Sequence, residues 1–266
     1  MTVLRHSVTV TAVESGRFRE VVELLVDFAE STRARGGEIR LADGQPVPDV
    51  RLVKGRHLRP GARYEYTDAG TSDRMAVIVR EWRPRRSIAV EQVLVSEELT
   101  ARVTLRLSSP DHLRLVEATA RVRGPEGSGA LHRGTGRARF DPDAWWAAAG
   151  LEPGAPPVAR APATARLKHR LGEARLHLRP RRADGGRWQV DVAATVRGRW
   201  LLRPVAALAL MVAGRPLRRS FRSAVDRAAE GWNRALDELL AFDPDELRAE
   251  LARQATERTP EEPDSP

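Results

Sequence analysis

Residues 172–198 read GEARLHLRPRRADGGRWQVDVAATVRG, and the period of their apolar side chains decides the fold class. Ala174, Leu176 and Leu178 alternate with Arg175, His177 and Arg179, the period of two expected of a half-buried strand. Asp184-Gly185-Gly186 supplies residues that reach positive φ, so the chain reverses there. Trp188, Val190, Val192, Ala194 and Val196 then share one face of a second strand, with Gln189, Asp191, Thr195 and Arg197 on the other. From Trp200 the period changes. Val205 to Ala213 carries no polar side chain, a run far shorter than the ~20 residues of a membrane-spanning helix. Pro216 has no N–H to offer residue 212, so a kink or short break is expected near Gly214-Arg215-Pro216. Beyond it Leu217, Phe221, Ala224, Val225, Ala228, Trp232, Ala235, Leu236 and Leu239 recur at gaps that put them on one helical face. Arg218, Arg219, Arg222, Arg227 and Arg234 fall elsewhere. A long amphipathic helix laid on the preceding hairpin is predicted, with Phe221 and Trp232 as its core anchors.

The strand, the VRGRWLLRP junction and the Arg-rich closing helix together resemble the C-terminal end of the START-like family, the polyketide cyclase/dehydrase and lipid-transport superfamily. The resemblance rests on residues 187–223, RWQVDVAATVRGRWLLRPVAALALMVAGRPLRRSFRS. It implies an α+β helix-grip fold, in which a curved antiparallel sheet wraps the last helix and leaves a ligand cavity between them. It further implies that inward sheet positions Tyr66, Val77, Val103, Leu105, Val192 and Ala194 line that cavity. From the helix, Leu208, Met211 and Val212 would face it, with Arg215 as an anion anchor one turn on. The alternative reading, in which these side chains pack a solid core, stays open at this point.

Outward from that end, residues 6–13 alternate as a first strand, and Ser15 stands where a helix N-cap belongs. Phe18, Val21, Val22, Leu25, Phe28 and Ala29 form a helical stripe. Gly36, Gly37, Gly44, Pro46 and Pro48 mark a loop, and a second helix there is not expected. Residues 49–123 read as six antiparallel strands separated by turn signals, with Leu99, Ala101, Val103, Leu105 and Leu107 the cleanest alternation. Residues 124–164 read as an insertion of loop material around a short helix, capped by Asp141 with Pro142 at its first position. Trp145 either pins that insertion to the domain or belongs to a lid over the cavity mouth. The second half of the sheet is expected to join the first as one enlarged sheet. Asp243-Pro244-Asp245-Glu246 opens a short C-terminal helix over about 243–258, and 259–266 is too polar to fold. The expected organisation is one domain over 1–242 followed by that helix and tail.

With 266 residues the chain is long enough to bury a core, and without cysteine it excludes disulfides and thiolate metal sites. The N-terminal strand is interrupted by Arg5, His6, Thr9 and Thr11, so no signal peptide is read and a cytoplasmic protein is expected. The net charge of +9 comes almost wholly from arginine, since Lys54 and Lys168 are the two lysines. A generic basic surface is the first reading of that charge, and an anionic membrane surface the second; nucleic acid is disfavoured by the few aromatic residues. The six histidines stand singly, without the spacing of a zinc enzyme. RGTGRAR at 133–139 lacks the GK[ST] of a phosphate loop, and no GxSxG is present. Glu81 and Glu117 are the carboxylates considered as an acid–base pair, and they fall on separate strands. No cofactor, metal or catalytic set is implied. The expected ligand is an apolar small molecule, with an aromatase/cyclase-type enzyme or an anion-binding basic module as alternatives; nothing bears on oligomeric state.

Overall fold

A computed structural model describes residues 2–66, 73–125, 133–151, 159–198 and 214–257. Among them the chain forms thirteen strands in a single antiparallel sheet and four α-helices, an α+β architecture. β1 (Thr2–Thr11) leads into α1 (Ser15–Ser31). Then come β2 (Arg33–Arg35), β3 (Glu38–Arg40), β4 (Pro46–Lys54), β5 (Arg63–Tyr66), β6 (Arg74–Arg83), β7 (Ser87–Val95) and β8 (Thr100–Ser108). A 3-10 turn at Pro110–His112 precedes β9 (Leu115–Arg123) and β10 (Arg133–Phe140). After α2 (Pro142–Ala149) follow β11 (Ala163–His169), β12 (Gly172–Ala183) and β13 (Arg187–Gly198). The helices α3 (Gly214–Leu240) and α4 (Pro244–Thr256) complete the chain. From β2 to β13 every strand pairs its sequence neighbour, and β1 pairs β13 at the edge. The six strands expected over 49–123 are β4 to β9, and the two halves form one sheet, as the reading favoured.

Because side chains alternate along a strand, the register gives the sheet one largely apolar face and, over β8 to β12, an opposite face rich in arginine. One row across the apolar face runs Leu52, Tyr64, Val77, Gln92 and Val103 on β4 to β8. It continues through Ala120, Gly136, Leu167, Ala174 and Val196 on β9 to β13. The helices pack on this face. Phe221, Val225, Ala229 and Leu236 of α3 meet Val8 and Val10 of β1 and Trp188, Val190 and Val192 of β13. Trp145 and Ala149 of α2 join the same cluster, and Trp145 and Trp146 lie edge-on to Trp188 at 5.7 and 5.9 Å. Phe18 of α1 packs on Trp146 and Phe140. A second cluster joins Val21 and Leu24 of α1 to Leu247 of α4, whose start carries the Asp243–Glu246 capping box.

Several expectations are corrected. Ser15 is not the N-cap of α1: Glu14 holds that position, and its side chain makes no capping bond. Residues 33–40 are not loop but a hairpin, reversed by Gly36 and Gly37 at φ +59° and +87°. RGTGRARF is not insertion loop but strand β10, with Gly134 and Gly136 on the apolar face. Together with β11 it makes the expected insertion part of the sheet. Of the two readings of α2, the pinning one holds and the lid does not: Trp145 is buried in the main core, and the Trp146 indole N–H donates to the Val13 carbonyl at 2.8 Å. Trp232 is 39% exposed and donates its N–H to the Thr11 carbonyl, while Ala229 takes the buried position the stripe had assigned to Ala228. Pro216 lies in the first turn of α3 as described; the expected kink borders residues 199–213, outside the described residues, as does the tail 259–266.

Candidate functional site

The helices cover the apolar face unevenly. α2 and α3 lie on β1, β12 and β13, and α1 crosses near Phe140 and Trp82, where the Trp82 indole donates to Glu30 at 3.1 Å. Toward the opposite ends of β8 to β11 none of the described helices covers the same face. Val103, Leu105 and Val122 are 39%, 38% and 38% exposed, and Leu167 is 52% exposed. Between them the register sets Ala118, Ala120 and Gly136, side chains too small to fill the space above the strands. A Cβ on Gly136 would stand 3.2 Å from Leu167 Cδ2, a contact that the exposed Leu167 side chain relieves by a small shift. The result is a shallow apolar basin, bordered on the β7 side by Gln92, whose amide N–H reaches the Met75 sulfur at 2.8 Å.

All six strand residues expected to line a cavity lie on the apolar face, but they do not form one wall. Val192 and Ala194 are buried in the core beneath α3, at 5% and 4% exposure. Val103 and Leu105 lie five strands away, roughly 24 Å at the usual strand spacing. Tyr66 and Val77 are half-buried on β5 and β6. Leu208, Met211 and Val212 are outside the described residues, and so is the side chain of Arg215. Val122, Leu167 and the small residues beside them were not singled out from sequence. The alternation in ATARLKH at 163–169 was the signal that could have found Leu167.

One acid–base network borders this face. The Tyr64 hydroxyl lies 2.9 Å from His57 Nδ1, and His57 Nε2 lies 3.0 Å from Thr32 Oγ1. Thr32 donates its own proton to the Ala29 carbonyl, so it accepts from Nε2–H, which leaves Nδ1 to accept from Tyr64. Tyr64 also accepts the Leu58 backbone N–H at 2.8 Å. The chain of bonds thus requires a neutral imidazole. Burial acts in the same direction, holding His57 below its ordinary pKa and pushing the Tyr64 phenol up. Across the molecule His6 of β1 meets Asp226 of α3 at 2.6 Å, and Asn233 accepts the Thr11 N–H. These inward polar residues pin α3 to the edge strand, a role not visible in the apolar stripe. Glu81 and Glu117 do not meet as an acid–base pair: Glu81 binds Ser87 and Arg106. Its carboxyl is held down first by the Ser87 hydrogen bond and then by arginine charge.

The chain matches no family model and no curated protein. Among the described residues no group of His, Asp and Glu is arranged to hold a metal, and no helix is long and apolar enough to cross a membrane.

Proposed function

We propose that the protein binds an apolar or amphiphilic small molecule, lipid- or polyketide-like, against the open basin of the sheet, in a START-like helix-grip arrangement. The observation that carries this reading is the exposure of Val103, Leu105, Val122 and Leu167 on a face that elsewhere is packed core. Exposed apolar side chains that are contiguous, rather than scattered, mark binding surfaces. The N-terminal strand beside the last strand, with the long helix α3 packed on both, supports the same arrangement. Non-catalytic binding is favoured over cyclase-type chemistry because the acid–base groups described on this face spend their bonds internally, Tyr64 through His57 and Thr32 to Ala29, and His6 on Asp226.

The test is titration with a dansylated fatty acid. Leu105→Arg places a charge on the basin floor at a position already exposed, so the thermal unfolding midpoint should hold while probe affinity falls at least about tenfold. Wild-type protein that leaves the probe unbound, or a variant that binds as well as wild type, contradicts the reading.

A further inference from the structure

The opposite face of β8 to β12 is dense in cations. Some are matched: Arg80 and Arg102 flank Glu91, Arg106 meets Glu81, and Arg166 and Arg175 share Glu173. The pairings hold the carboxylates ionised; bonds from Arg166 and then Arg175 take Glu173 down to about 2. Six further cations, Arg121, Arg123, Arg133, Arg137, Arg139 and Lys168, lie exposed on three adjacent strands and form no ion pair with any described residue. Several like charges stand directly opposite one another: Arg102 and Arg121, Arg123 and Arg133, and Arg137 and Arg166. Such pairs destabilise a sheet.

We infer that this basic sheet face docks on an anionic phospholipid surface. The charges spread in two dimensions, across three strands and along each, which matches a plane of headgroups better than the single line of a nucleic-acid backbone. Among the described residues no aromatic side chain stands between them to stack on bases, as single-strand binders require. At the sheet's end a depression of about 620 Å³ joins the two faces, lined by Val122 and Gly134 from the apolar side and by Arg123, Arg133, Lys168 and Arg170. Docking there sets the open end of the apolar basin beside the lipid. The basic face is independent of what occupies that basin.

Co-sedimentation with phosphatidylcholine vesicles, with and without about one third phosphatidylglycerol, tests the inference. Each cation held near an anionic membrane contributes roughly fivefold to binding, so Arg121→Gln, Arg123→Gln, Arg133→Gln and Arg137→Gln combined should weaken binding to the anionic vesicles by at least about a hundredfold. The same four positions changed to lysine should retain it, and binding should fall steeply with salt. An equal number of glutamine changes on α3, at Arg218, Arg219, Arg222 and Arg227, is the control that removes the same net charge. Far-ultraviolet circular dichroism verifies that each variant folds. The inference is overturned if wild type prefers anionic vesicles no more than neutral ones, if the α3 variant loses as much binding as the sheet variant, or if single-stranded RNA binds more tightly than the vesicles and through the same four arginines.

Discussion

His57 illustrates how a residue that stands alone in sequence acquires a role from its neighbours. Its two ring nitrogens are fixed by Tyr64 and Thr32, which ties the end of α1 to the β4–β5 connection. The network needs the neutral ring, and burial lowers the folded-state pKa. The contribution of His57 to stability is therefore complete above its ordinary value near 6.5, and is lost as pH falls through the lowered folded value. Wild-type protein should lose more of its unfolding midpoint than His57→Gln between about pH 7.5 and 5.5. A parallel loss in both proteins would mean that the ring binds its proton equally well folded and unfolded, contrary to the network. Residue spacing gave no hint of this network, because Thr32, His57 and Tyr64 belong to three segments that meet only through the fold.

Elements were legible where one period ran long enough, and illegible where glycine or tertiary packing intervened. The β12–β13 hairpin and the strand at 99–107 read directly, since alternation and turn glycines agreed there. β10 did not, because three of its four apolar-face positions are Gly134, Gly136 and Ala138, which carry almost no hydrophobic signal, and Phe140 stands at its very end. The stripe of α3 was drawn too wide for a related reason. Alanine satisfies either face of a helix, and only contact with the sheet shows Ala229 inward while Ala224, Ala228 and Ala235 face out. α2 shows the opposite case, a short element whose packing matters more than its length. Trp145→Ala should destabilise the protein by about 3–5 kcal/mol, the range for emptying a buried aromatic site. Asp243→Ala, which removes only the cap of α4, should cost about 1 kcal/mol. Denaturant titration of the two variants separates these outcomes; equal small losses would place α2 outside the core.

At the scale of the whole molecule, one sheet presents two chemically opposed faces. The apolar face is packed core under α2 and α3 and becomes an open basin over β8 to β11, and the other face gathers unpaired cations over β9 to β11. Sequence could indicate that Val103, Leu105, Val192 and Ala194 point the same way, because alternation fixes the face. It could not indicate that helices bury two of them and leave two exposed, which depends on where α3 crosses the sheet. The proposed ligand site is thus narrower than the family resemblance implied, and it includes Val122 and Leu167, which were not among the residues the resemblance pointed to. The most direct measurement is methyl NMR of leucine- and valine-labelled protein titrated with a long-chain fatty acid. Resonances of Val103, Leu105, Val122 and Leu167 should shift together and saturate, while those of Val190 and Val192 stay in place. Shifts confined to the packed core, or no saturable shift at the four basin residues, would contradict a ligand on this face.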